Sequence, residues 1–309
     1  MRTVLAACLL AAATPAAAAE VCSAWRPAEN IGQLDTSVVN EASGLDVSAQ
    51  FPDRLYHNND SGDGLRFYVS RMNGQDARTV EIEGPKPVDI EELSLGPCGD
   101  EGQCLYLGDI GDNPARRDEV AFTIVREVEN FPDKVTPLRV VRARYPDGAH
   151  NAEAFAIHPD GDLYLVTKPA DRLMMNPVPA KVYRLTATQL RATDQVQTFE
   201  KVGEIDLPKI MGTRPFPGSI PTAMDISADG RRVILLTYMD ALEIGLDLKN
   251  GLPPFEQWTE GKDYRVVELD TLPQQEAVSW LPDETGFLYN TELTRGAQTA
   301  PIKKVACGG

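Results

Sequence analysis

The side chains able to do chemistry in this chain are overwhelmingly oxygen donors. Two aspartate-rich runs, Asp60-Ser61-Gly62-Asp63-Gly64 and Asp109-Ile110-Gly111-Asp112-Asn113, look like calcium loops, although they miss the spacing and terminal glutamate of an EF-hand. Further carboxylates and amides recur at two phases of a repeated strand pattern. One phase carries Glu41, Asp89, Glu91, Asn151, Glu153, Thr222, Asp225, Gln274 and Glu276; the other carries His57-Asn58-Asn59-Asp60, Asp109, Thr167-Lys168, Thr237-Tyr238, Asn290 and Glu292. Taken one at a time, such Asp and Asn residues more often satisfy strand ends and turn backbones, so it is the recurrence that points to a site. Carboxylates gathered in one place raise one another's pKa unless positive charge joins them. With 3 histidines and no C-x-x-C pair, the donor set suits Ca²⁺, or Mg²⁺, rather than zinc. Glu41, Asn59, Asp60, Asp109 and Glu153 are the expected metal ligands. His57 or Glu91 would activate water, and Lys168 would pair with a ring carboxylate or meet an anionic substrate group. His57 and His150 fall beside the same group by this phase, and His158 falls on the far side.

Placing these residues together is a task for the repeat itself. An alternating strand, an acidic or polar turn and a small-residue opening of the next strand recur five times. The openings are Glu41-Ala42-Ser43-Gly44, Asp89-Ile90-Glu91-Glu92, Asn151-Ala152-Glu153-Ala154, Thr222-Ala223-Met224-Asp225 and Glu276-Ala277-Val278-Ser279. A spacing of roughly fifty to seventy residues fits a four-stranded blade with its loops, so the fold class is all-β: a β-propeller of five blades, or six if Phe155 to Asp206 hides another. The C-terminal repeat offers three strands, ending at Lys303-Lys304-Val305-Ala306-Cys307, and the stretch Trp25 to Asp35 is the expected missing outer strand. Cysteine pairing agrees with that phase. Cys98 and Cys104 bracket a short polar loop suited to a hairpin staple, which leaves Cys22 to join Cys307 at the seam of the ring. In a propeller, the entry to each innermost strand and the end of each second strand open on one face, so the candidate residues should meet at one mouth of the channel.

Residues 1–19 read as a secretory signal: Arg2, an apolar stretch from Val4 to Ala13, and Ala17-Ala18-Ala19 before Glu20. Leu5-Ala6-Ala7-Cys8 offers the alternative of a lipidated Cys8. The rest, residues 20–309, reads as a single propeller domain with no span, expected in the periplasm or secreted. Removing the signal takes the formal charge from -16 to -17, a balance that repels nucleic acid and anionic lipid. No G-x-S-x-G elbow, P-loop or dinucleotide turn is present.

The segments Asn59-Asp60-Ser61-Gly62, Gly108-Asp109-Ile110-Gly111-Asp112-Asn113, Asn151-Ala152-Glu153-Ala154 and Val166-Thr167-Lys168 together resemble a group of exported bacterial β-propeller proteins, over most of residues 40 to 170. More distantly the chain is similar to phytase-like and gluconolactonase-type propellers, which implies a calcium-assisted hydrolase. Neither family's full catalytic motif is matched. The expectation is therefore an exported propeller with a Ca²⁺-binding mouth, acting as a metal-assisted hydrolase of an ester, lactone or phosphoester. The alternative is a non-catalytic binding propeller of the cell envelope, and a third reading is a glycosidase using paired channel carboxylates. The expected partner is a small-molecule or cell-envelope ligand on a monomer.

Overall fold

Period-two alternation bounded by Asp-Gly and Pro-Asp turns forms strands along the whole chain, and in the computed structural model these assemble into five antiparallel blades. Residues 20–60, 62–168, 178–212, 217–293 and 299–308 are described; the leader read at residues 1–19, including Cys8, and Ser61 lie outside them. From the channel outwards, blade 1 is Ala42–Val47, Leu55–Asn59, Arg66–Ser70 and Arg78–Ile82. Blade 2 is Ile90–Pro97, Gln103–Asp109, Val120–Arg126 and Arg139–Arg144; blade 3 is Ala152–Ile157, Leu163–Thr167, Ala180–Leu185 and Glu200–Ile205. Blade 4 is Pro221–Ile226, Val233–Thr237, Ala241–Ile244 and Tyr264–Val267. Blade 5 is Gln275–Trp280, Gly286–Thr291, Pro301–Ala306 and, as the repeat phase requires, the N-terminal strand Glu29–Gln33. Phe155 to Asp206 forms one blade, so the ring has five. Two short strands that the sequence reading did not anticipate, Lys134–Val135 and Gln197–Thr198, add in parallel to the outer edges of blades 1 and 2.

The core lies between blades. The fourth residue of each innermost strand (Leu45, Leu93, Phe155, Met224, Val278) packs on the blade before it, and the innermost strand of blade 5 meets that of blade 1 to close the ring. Cys22–Cys307 locks the seam across 285 residues, and Cys98–Cys104 staples the first hairpin of blade 2. The N-terminal segment is also tied to blade 4, where buried Glu243 accepts from the Cys22 N–H at 2.9 Å and the Trp25 indole at 3.1 Å.

Innermost strands have no partner strand on their channel side, so their N–H groups there need other acceptors. The fifth residue of each strand supplies one to the next blade. Asp46 accepts from Leu95 N (2.5 Å), Ser94 from Ile157 N (3.1 Å), Asp225 from Trp280 N (2.7 Å) and Ser279 from Val47 N (3.1 Å). Blade 3 has Ala156 at this position, and there Ile226 N turns to its own Asp225 at 2.7 Å. Asp225, assigned to the mouth by the repeat phase, thus belongs to a structural belt inside the channel. Burial pushes its carboxyl up to about 7 and, with repulsion from Asp225, holds Asp46 well above the carboxylate range.

One residue breaks the pattern of small side chains inside the channel. The third position of the innermost strands is Gly44, Ala154, Ala223 and Ala277 in four blades but Glu92 in blade 2. Glu92 is fully buried, accepts from its own Leu93 N at 3.0 Å and reaches the Met224 backbone in blade 4, and burial keeps its carboxyl well above the usual range. Gly44 leaves room on that side: a Cβ there would lie 2.0 Å from Asn58 Oδ1, 2.5 Å from Leu93 N and 2.8 Å from Glu92 Oε1.

Candidate functional site

Each innermost strand begins with a β-bulge, and the second residue of every strand lies in it: Ser43, Glu91, Glu153, Thr222 and Glu276. A bulge re-aims one side chain without disturbing the rest of the ladder. Here it separates the polar second position from the apolar first and fourth. Ser43 and Thr222 spend their hydroxyls on the Glu91 and Gln275 carbonyls of the next blade. Glu91, Glu153 and Glu276 keep their carboxylates for the mouth, where the second strands end at Asp60, Asp109, Lys168, Tyr238 and Glu292.

The mouth is divided into two groups. In the first, Asp60, Asp89 and Glu91 each bring a carboxylate oxygen within 4.8 Å of the others. Gly111 is what lets them gather, since a Cβ there would lie 2.3 Å from Asp89 Oδ2 and 2.4 Å from Glu91 Oε1. Asp109 shapes the same loop: Oδ1 accepts from Asp89 N (2.9 Å) and Arg117 Nη1 (2.8 Å), and Oδ2 from Val88 N (3.1 Å). Burial, then Glu153, Asp60 and Asp89, hold Glu91 well above the carboxylate range; burial and Asp60 also raise Asp89. Both acids are thus biased toward their protonated forms by burial and by their acidic neighbours.

The second group runs across blades 3, 4 and 5. Lys168 Nζ contacts Glu153 Oε1 and lies 2.8 Å from the Tyr238 hydroxyl, which donates to Glu276 Oε1 at 2.8 Å. Gln274 Nε2 donates to Glu292 and, at 3.4 Å, to Glu276. Burial pushes Glu153 up to about 8 against the pull of Lys168, and burial with Glu276 pushes Glu292 up to about 10. Glu153 Oε2 and Glu292 Oε1 are buried without a hydrogen-bond partner.

Of the expected ligands, Asp60 and Glu153 are at the mouth and Asp109 borders it as a loop organiser. Glu41 is exposed, yet close enough to raise Glu292. Asn59 is committed to structure, accepting from Glu41 N (3.2 Å) and donating to Asn40 and Tyr68 (both 3.1 Å). Of the expected catalytic residues, Glu91 and Lys168 are in place and His57 is not. His57 is 0% exposed inside blade 1, bonded to Ser70 Oγ at 2.9 Å, and burial lowers its pKa to about 3, which removes it as a base for mouth chemistry. His150 is held by Asp147 at 3.0 Å, and His158 is on the opposite face, bonded to the Gly230 carbonyl. Asp89 and Glu91, both assigned to the mouth by the repeat phase, lie beside Asp60 although neither was among the expected ligands, and the role of Gly111 in making room for them was not anticipated.

Two consequences can be measured. Glu153 and Glu292 have an ordinary value of 4.5 and are raised in the fold, so between about pH 5 and 8 the folded state keeps protons that the unfolded chain has lost. Stability should therefore fall as pH rises through this window, by at most about 1.4 kcal/mol per pH unit for each group and less for the partly solvated Glu292. In EDTA, the melting temperature should be higher at pH 5.5 than at pH 8; a rise with pH would contradict the assignment. Separately, Gly111→Ala should cost about 1–3 kcal/mol by forcing Asp89 and Glu91 apart, read by urea unfolding. An unchanged midpoint would show that the loop does not abut them.

A five-bladed propeller with an acidic, two-part mouth is the class that fold and site define. No protein-family model and no curated protein matches the chain. Its structure is similar to one titled "Crystal structure of Nidogen/Laminin Complex", with a TM-score of 0.46 and 12% identity over 82% of this chain and 73% of that chain. No helix among the described residues is long and apolar enough to cross a membrane.

Proposed function

We propose that this propeller holds a divalent cation, Ca²⁺ foremost, between Asp60, Asp89 and Glu91, and through it binds an oxygen-bearing small molecule or cell-envelope ligand at the mouth. The observation that carries this reading is the approach of three carboxylate oxygens within 4.8 Å, beside the buried, unpartnered Asp89 Oδ1 and Glu153 Oε2. Oxygen-only ligation by carboxylates suits a hard cation, and water or ligand oxygens would complete the shell. Calorimetric titration of EDTA-treated protein should show one Ca²⁺ site with proton release, because burial and acidic neighbours raise Asp89 and Glu91 and the cation requires both ionised. Absence of binding heat at both pH 6 and pH 8 would remove the metal from the account.

Metal-assisted hydrolysis of an ester, lactone or phosphoester is the second reading. It is favoured by Glu292, kept neutral near pH 7 beside Glu276, which makes a proton donor available next to the cation group. A substrate panel assayed with and without Ca²⁺ separates the two: turnover lost in Glu292→Gln supports the enzyme, and flat traces with retained Ca²⁺ binding support the binding protein. An exported location and the leader at residues 1–19 are part of the same proposal. The two disulfides support it, since such bonds persist in oxidising compartments.

A further inference from the structure

At the end of the channel opposite the acidic mouth, residues from all five blades line a half-open cavity of 320 Å³. The eighth position counted from the start of each innermost strand places one small or apolar residue around it: Ala49, Pro97, Pro159, Ala228 and Pro282. The sixth residues of the innermost strands (Val47, Leu95, Ile157, Ile226, Trp280) form its walls. Two of its acids, Asp46 and Asp225, belong to the hydrogen-bonded belt and are spoken for.

Glu127 is different. It follows the third strand of blade 2, lines the cavity and is 6% exposed. Its Oε1 accepts from Ser48 Oγ at 2.6 Å and the Tyr56 hydroxyl at 3.0 Å; Oε2 accepts from no described residue, and among the described residues Glu127 has no ion-pair partner. The cup has apolar walls and three acids, of which only Glu127 lies outside the belt, and the Arg54 guanidinium near it is spent on the Tyr56 hydroxyl and the Val128 and Glu129 carbonyls. Such a lining favours a cationic guest with an apolar body, because a neutral guest leaves Oε2 unmatched and an anionic guest is repelled. The volume lies in the range of small-molecule pockets and is too small for a folded partner.

We propose that this cavity is a second binding site, distinct from the mouth, for a small organic ammonium ion whose apolar part contacts the five-blade wall and whose charge meets Glu127. Trp280 in the wall is an internal reporter. The test is titration with phenylethylammonium, followed by tryptophan fluorescence and calorimetry, against the neutral 2-phenylethanol and the anionic phenylacetate. One saturable site is expected for the ammonium ion, with 2-phenylethanol weaker by roughly tenfold or more and phenylacetate unbound. Ala228→Phe, at an exposed rim position, should abolish binding by filling the cavity entrance. Glu127→Gln, which keeps an acceptor for Ser48 and Tyr56, should reduce the ammonium affinity to that of the alcohol. D89N/E91Q at the mouth should leave it unchanged. No saturable binding, equal affinity for alcohol and ammonium, persistence in Ala228→Phe, or loss in the mouth variant would overturn the proposal. Because Ala228→Phe and the ligand series need no change at a buried acid, the test survives if Glu127→Gln does not fold.

Discussion

Replacing Asp89 and Glu91 together by their amides is expected to change stability in opposite directions with and without Ca²⁺. In EDTA the double variant D89N/E91Q should melt at or above the parent temperature, because burial and crowding with Asp60 and Glu153 already disfavour the charges it removes. In Ca²⁺ the parent should gain stability and the variant should not, with affinity reduced by at least about 100-fold, since ligand charge count sets the strength of such sites. The amides keep the size of the acids, so the gathering enforced by Gly111 is preserved. A variant that melts well below the parent in EDTA would show that the two acids are structural. Undiminished Ca²⁺ stabilisation would place the cation elsewhere.

The second large effect belongs to the seam. Cys22–Cys307 closes a loop of 285 residues and Cys98–Cys104 one of 6. The chain-entropy account gives roughly 5–6 kcal/mol for the first and about 2 kcal/mol for the second. Cys22→Ser/Cys307→Ser should therefore cost at least about twice as much as Cys98→Ser/Cys104→Ser in urea unfolding. The anchor at Glu243 adds to the difference, because fraying of the N-terminal segment removes the Cys22 N–H and Trp25 indole donors from a buried carboxyl that is then left with Arg232 at 3.7 Å. Equal costs for the two pairs would show that the seam is held by strand pairing and by packing of Trp25 against Trp280 and Phe287, with little from the bond.

The ring and its closure were legible in the sequence because they rest on long-range periodicity. Five strand openings in phase, a three-stranded last repeat and two terminal cysteines all led to the same topology. The mouth was legible as a location for the same reason, and Asp60, Glu91, Glu153 and Lys168 are found there. What the sequence hid was local. A bulge is one extra residue whose register shows only against the partner strand, so the repeat phase placed Glu91, Glu153 and Glu276 at the mouth without revealing the bulge that turns them there. His57 illustrates the converse error: two residues before the strand end, it is already inside the blade. Asp225 was misplaced because an acid that caps a neighbouring N–H looks, in sequence, like one that faces solvent. Gly111 was read only as part of a loop, whereas its missing side chain is the space in which two carboxylates meet.

The proposed function stands on a divalent cation held by the blade 1 and blade 2 side of the mouth. Diffraction from crystals of the mature protein grown in Ca²⁺, collected for anomalous signal, tests it most directly. A peak about 2.3–2.6 Å from oxygens of Asp60, Asp89 and Glu91 that disappears in D89N/E91Q is expected. Full occupancy of Ca²⁺ at another position, with no peak between Asp89 and Glu91, would overturn the proposed site.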